Sequence, residues 1–362
     1  MKRNHLTLLT FYKFVDIPDV RQEIKEMKIF LEGIGVLGRV FMGEEWISAT
    51  MTGNDGQMMA IKMYLDSKPW FREIPDIDTK STKVSDYHFD KMIVRYRREI
   101  VALDYPVTPA QVEQYRQDMP IDKFKELLDH GNPDDFIVLD MRNSYEYRLG
   151  HFKYAVPSGT VNFREMHTLK DQYIKQFGTK QVIMYCTWGI RCEKLAVLLH
   201  MRWLTNVWAL EWGIVKYVNV YNDGNWLGNL YTFDGRVSTH VGDAQTHTTI
   251  GICNYTWLAT DSVANCRYSP CNARLICKSS EYRRHLWFCS SECMNNAKSD
   301  LLVKSMRGDR WDYRSLRAQI QRDPSQRDPI LDAVSKYYAS RLEGLEFRHS
   351  LSQKEDYLDC GC

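Results

Sequence analysis

Val182-Ile183-Met184-Tyr185-Cys186-Thr187-Trp188-Gly189-Ile190-Arg191-Cys192-Glu193-Lys194 changes character half-way along. An apolar run stops at a cysteine, a short loop with an arginine follows, and Glu193 to Leu199 reads as a helix. The pattern predicts a buried strand, a tight turn and a helix N-terminus, with a thiol at the turn. Backbone N–H groups at a helix start carry partial positive charge and Arg191 adds a full one, so the thiolate of Cys186 is favoured. Such a thiolate is a nucleophile and can also hold a transferred sulfur. An isolated cysteine closing a strand is most often a small buried hydrophobe. The composite of strand, cysteine, loop, arginine and helix is what points to chemistry.

Strand and helix alternate on both sides of this stretch. Asp122 to Leu128 reads as a helix, Gly131-Asn132-Pro133 as a turn, and Phe136-Ile137-Val138-Leu139 as a buried strand ending in Asp140-Met141-Arg142. Downstream, Asn206 to Glu211 reads as a further strand before Gly213-Ile214. Residues 121–225 are therefore expected to form an α/β domain with a parallel sheet and its chemistry at the carboxyl ends of the strands. The polar stretch 105–120, with Pro106 and Pro109, reads as a linker.

Upstream, Leu6 to Phe14 reads as a strand and Asp19 to Leu31 as a helix stopped by Gly33 and Gly35. Strands at Gly38–Met42 and Ile47–Met51, a helix at Gln57–Leu65 and a strand at Met92–Arg97 follow. The order β-α-β-β-α-β predicts a ferredoxin-like α+β domain over 1–104. Lys91, Arg95, Arg97 and Arg98 cluster on its last strand around Tyr96. Such a cluster is either a solvated edge or a surface for phosphates.

With 362 residues, 44% of them hydrophobic, the chain can supply two or three cores. Its formal charge of +2 leaves nucleic-acid binding to local patches. No apolar run approaches twenty residues and Met1 to Phe14 lacks a leader pattern, so the expectation is a cytoplasmic protein with no membrane partner. Six of the ten cysteines fall between Cys253 and Cys293, a grouping that suits thiol chemistry or metal binding better than disulfides. Residues 232–297 read as a Cys-rich region. Cys266, Cys271, Cys289 and Cys293 are candidate zinc ligands, although their spacing, like that of Cys277, is looser than the usual C-x2-C. Residues 298–362 form a charged tail, partly helical or loosely ordered, with a helix expected at Leu331–Leu342.

Asp140-x-Arg142, Tyr145-Glu146, Gly150-His151-Phe152 and Cys186-Thr-x-Gly-Ile-Arg191-Cys192-Glu193-Lys194 together resemble a rhodanese domain. The whole order, from Phe11-Tyr12-Lys13-Phe14 through Gly38-Arg39-Val40 to Cys289-x-x-Glu292-Cys293, resembles the rhodanese-type tRNA uridine hydroxylases over roughly Leu6 to Ala297. That family converts the wobble uridine to 5-hydroxyuridine with dioxygen as co-substrate. The resemblance implies that Cys186 and Arg191 are catalytic and that Asp140, Arg142, Glu146 and Gly189 shape the pocket. The first, second and third of those four also read as a strand-end cap and an ion pair holding the loop. Cys192 reads as a residue of the first helical turn or as a resolving thiol. By the same resemblance the partner is tRNA, gripped at its anticodon arm, with Arg95, Arg97 and Arg98 as candidates for its phosphates. The residues themselves offer no flavin fingerprint and no iron triad, so no cofactor is evident beyond the candidate zinc.

Trp46, Trp188, Trp203, Trp212, Trp257 and Trp287 stand where the family pattern has glycine. Repeated replacement of turn glycines by indole is physically improbable, because each removes the residue whose missing Cβ the turn needs. A gene that uses UGA for glycine, read as if UGA meant tryptophan, gives this pattern. Two other functions fit the residues: a sulfurtransferase working through a Cys186 persulfide, and, with genuine tryptophans at 188 and 212, an inactive rhodanese-fold module that binds RNA or protein.

Overall fold

The computed structural model describes residues 6–71, 81–103, 105–160, 163–166, 177, 180–202, 204–233, 237–243, 245, 247–306 and 309–342. The N-terminal domain starts with β1 (Leu6–Phe14), α1 (Val20–Gly33), β2 (Leu37–Gly43), β3 (Trp46–Gly53) and α2 (Asp55–Asp66). Asp19 caps α1 by accepting from the Gln22 N–H, and Asn54 with Gln57 forms a reciprocal capping box on α2. Two short strands, β4 (Ser81–Val84) and β5 (Met92–Tyr96), complete a five-stranded sheet in the order β4-β1-β3-β2-β5. Alternate residues of β2, Val40 and Met42 among them, point into a core with Leu9, Phe11, Met27, Leu31, Ile47 and Leu65.

The ferredoxin-like arrangement closes differently from the sequence expectation. β1 pairs antiparallel with β3 on one side and with β4 on the other, whereas the expected closing strand, β5, runs parallel to β2 on the opposite edge. Ser81-Thr82-Lys83-Val84 is short and polar, with no apolar period to reveal it.

The stretch expected as a linker is structured. Pro109–Tyr115 forms α3, capped by Thr108, and Asp118–Met119 forms β6. After α4 (Ile121–His130) come β7 (Phe136–Asp140), α5 (Ser144–Leu149), β8 (Gly150–Phe152), β9 (Ala155–Pro157) and β10 (Gln181–Tyr185). The helix Ile190–His200, β11 (Val207–Leu210) and the helix Gly213–Tyr221 complete this domain. Its sheet has the order β6-β11-β10-β7-β9, with every described pairing parallel. Register places Asp140 opposite Tyr185, so β7 and β10 end at the same level. Cys186 is the next residue. Val182, Met184, Leu195, Leu199 and Val207 belong to one buried cluster beneath it.

A second compact unit contains most of the residues from His247 onward. An antiparallel hairpin, Val263–Asn265 with Arg274–Ile276, is followed by helices Ser279–Arg284, Ser291–Asp300, Tyr313–Arg322 and Arg327–Leu342. The expected tail therefore contributes two packed helices, whose Tyr313, Val334 and Tyr338 are buried with Phe288 and Leu301. Among the described residues no helix is long and apolar enough to cross a membrane.

Candidate active site

The turn after β10 is built around glycine. Gly189 caps the helix Ile190–His200 at φ +93, a left-handed conformation that frees its N–H to point back at the thiol. That N–H donates to Cys186 Sγ at 3.1 Å. Cys186 is fully buried, which alone would raise its pKa. The Cys192 thiol, the Arg191 guanidinium and the N–H groups of Arg191 and Trp188 outweigh burial and bring it down to about 6. Cys192, buried beside it, is pushed the other way by burial and by the Cys186 thiolate. One thiol of the pair is thus held as an anion and the other as a neutral donor.

Arg191 is fixed from the far side. Its Nη1 and Nη2 donate to the two carboxylate oxygens of Glu146 at 2.9 Å each, in a bidentate pair where both partners are buried. Glu146 also accepts from the Asn143 N–H at 3.0 Å. A second buried pair lies at the strand ends: Arg142 Nε and Nη2 donate to Asp140 at 2.9 and 2.6 Å, and the Tyr185 hydroxyl donates to Asp140 at 2.6 Å. Glu146 therefore touches the loop arginine, while Asp140 and Arg142 brace each other and the end of β10.

Further residues reach the loop and the helix that follows it. The Tyr12 hydroxyl, from β1 of the N-terminal domain, donates to Glu193 Oε1 at 2.9 Å. A Cβ added to Gly189 would stand only 2.9 Å from that hydroxyl. Arg116 Nη1 lies 3.5 Å from the same Glu193 oxygen. One residue on, Lys194 Nζ pairs with Glu99 and donates to the Val101 carbonyl at 2.9 Å. Gly213, at φ +68, closes the loop from below: an added Cβ would lie 2.4 Å from the Cys186 carbonyl oxygen. That oxygen accepts from the Ile214 N–H at 3.0 Å.

Arg95, Arg97 and Arg98 are exposed on β5 and just beyond it. Arg97 covers the Phe41 ring at 5.4 Å, and Arg98 lines a cavity of about 250 Å³ with Phe14, Trp46, Glu99 and Lys194. In the second unit, the sulfur atoms of Cys266, Cys271, Cys289 and Cys293 all lie within 4.8 Å of one another. Cys271 to Cys289 is 3.6 Å and Cys289 to Cys293 is 3.5 Å. These four can hold a metal ion. Cys277 lies outside the group, buried near Cys253.

Comparison with known proteins agrees with this geometry. Residues 6–100 match the family described as UPF0176 acylphosphatase like domain, and residues 121–220 match the Rhodanese-like domain. Residues 227–294 match the Rhodanase C-terminal family. The tRNA uridine(34) hydroxylase of Bacillus velezensis is 31% identical over 303 residues, covering 83% of this chain and 91% of that one. The chain belongs to the tRNA uridine(34) hydroxylase family. The hydroxylase of Protochlamydia amoebophila is 30% identical, covering 80% of this chain and 88% of that one, and that of Chlamydia felis is 29% identical. Of the site residues of this hydroxylase-family chain, Tyr12, Arg116 and Glu193 are not singled out by sequence reasoning. Tyr12 and Glu193 stand inside quoted motifs without a role, because the hydrogen bond between them spans 181 residues.

Proposed function

We propose that this chain hydroxylates the wobble uridine of tRNA to 5-hydroxyuridine, using dioxygen as co-substrate and depending on Cys186. The observation that carries the reading is the Cys186 cradle within a chain of this family: a thiolate favoured at neutral pH, an N–H at 3.1 Å, and an arginine locked by Glu146. Cys186 and Arg191 are the catalytic pair, and Asp140, Arg142, Glu146 and Gly189 shape and brace the pocket. Arg95, Arg97 and Arg98 bind phosphates of the anticodon arm, and the reaction takes place in the cytoplasm with its tRNA. Nucleoside analysis of tRNA from a deletion strain tests the proposal. Loss of 5-hydroxyuridine derivatives, restored by the wild-type gene and not by Cys186→Ser, is the expected result. Restoration by Cys186→Ser sinks it.

A low thiol pKa also favours a sulfurtransferase reading, in which Cys186 carries sulfur as a persulfide. Loss of a thiolated nucleoside in the same deletion strain, in place of the hydroxylated one, selects that reading.

The four clustered cysteines are assigned to a structural zinc ion. A regular tetrahedron with Zn–S bonds of about 2.3 Å puts its sulfurs roughly 3.8 Å apart. The Cys271–Cys289 and Cys289–Cys293 separations of 3.6 and 3.5 Å are close to that, and all four sulfurs lie within 4.8 Å of one another. With four thiolates and no open position the ion would hold the fold and take no part in the reaction.

A further inference from the structure

Tryptophan occupies backbone here that suits glycine. Among the described residues nine non-glycine positions have left-handed φ, and three of them are Trp212 (φ +59), Trp257 (φ +61) and Trp287 (φ +64). Only ten of the 362 residues are tryptophan, so chance placement does not explain a third of the set. Asn222 and Asn272 in the same set are of a type that tolerates this region, because a short amide bonds locally; a bulky aromatic side chain has no such compensation.

The surroundings tell the same story. Trp212 caps the helix Gly213–Tyr221 without any side-chain cap bond, and Gly213 follows it at φ +68, giving two left-handed residues in succession. Trp257 is 52% exposed. Trp226 is buried with ordinary backbone and packs its ring against Arg142 and Phe152 at 5.0 Å each; Trp212 and Trp287 also have ring contacts, to Arg116 at 5.6 Å and Arg267 at 5.3 Å, so it is the backbone that sets them apart. Trp70, Trp208 and Trp311 also lie outside the left-handed set. All three left-handed tryptophans belong to the group that departs from the family's glycine pattern. Trp46 and Trp188 have ordinary φ and Trp203 lies outside the described residues; Trp46 is buried and its indole N–H donates to the Arg98 carbonyl at 3.4 Å, so for these three it is the family pattern alone that argues for glycine.

We infer that the native protein carries glycine at positions 212, 257 and 287, with UGA as the codon, and that the same codon gives glycine at 46, 188 and 203. Two of these positions bear on the thiol. Residue 188 lies in the Cys186 loop, and the Cα of residue 212 is 3.7 Å from a Cβ built on Gly189. Glycine at both leaves the cradle intact and takes two indoles off its rim. The inference does not depend on which reaction Cys186 performs.

The gene and the protein from its own cells test it. UGA at 212, 257 and 287 with UGG at 226 is expected, and UGG at 212 overturns the inference. Peptide mass spectrometry across Glu211–Gly213 should read glycine at 212, whereas tryptophan there overturns it. A stability comparison separates backbone from ring: in the chain carrying the other tryptophans, Trp212→Gly should melt a few degrees above Trp212→Ala, since both lose the indole and only alanine keeps the Cβ. An equal or lower melting temperature for Trp212→Gly counts against a glycine site.

Discussion

Cys186 owes its acidity to its neighbours and not to solvent, since it is fully buried. Its pKa of about 6 means that the thiolate is present at pH 7 to 8 and lost as pH falls through 6. Alkylation by iodoacetamide should therefore follow a titration with its midpoint near pH 6. Stability carries the same sign: a thiol whose folded pKa is depressed contributes fully above its unfolded pKa, and that contribution disappears as pH falls through about 6. Arg191→Gln should move the alkylation midpoint up toward the ordinary thiol range. It should also cost about 3–5 kcal/mol in denaturant unfolding, because Glu146 is left buried without its bidentate partner. Cys186, Arg191 and Glu146 were legible in the sequence because each sits in a short motif at a strand end. Tyr12 and Glu193 were not, because a hydrogen bond across 181 residues has no local signature.

At the level of elements, the apolar runs of β7, β10 and β11 made the parallel sheet readable, and helical spacing did the same for α1. What escaped was short or polar. β4 is four residues at a sheet edge, β6 is two residues, and α3 lies in a stretch whose prolines suggested a linker. Pro109 in fact stands at the start of α3, where a missing N–H is harmless. The cysteines show the opposite case: the four expected as candidate ligands do converge, although their spacing is looser than the usual C-x2-C. Cys266 ends the strand region of the hairpin, while Ser290 caps the helix that carries Cys293, so a turn and a helix start bring the sulfurs together. Elemental analysis of the purified protein should find about one zinc per chain, consistent with a four-thiolate site. Chelation, or Cys271→Ser, should lower the melting temperature while leaving the Cys186 alkylation midpoint unchanged.

Across the whole molecule, the proposed phosphate binding should be separable from thiol chemistry. Replacing Arg95, Arg97 and Arg98 with Gln should weaken tRNA binding and flatten its salt dependence. The slope of log K against log salt should fall by about 0.7–0.9 for each phosphate that is no longer neutralised, measured by filter binding at several ionic strengths. The alkylation midpoint should stay near 6 in that variant. Tyr12→Phe reports on a different coupling. It removes a hydrogen bond to a carboxylate, a loss of about 1.5–3 kcal/mol, and keeps the contact of Glu193 with Arg116.

The first turn of the helix Ile190–His200 holds Glu193 and Lys194, both buried, and each is tied to residues outside the rhodanese-like segment: Tyr12 to one, Glu99 and Val101 to the other. Dissection of the protein into domains is therefore not neutral. A fragment spanning 121–220 would keep four of the five strands and the cysteine but take Tyr12, Glu99 and Val101 from a carboxylate and an ammonium at the root of the reactive loop. Its thiol would answer to a different electrostatic environment, and sulfur-transfer assays on such a fragment would describe the fragment, not the enzyme.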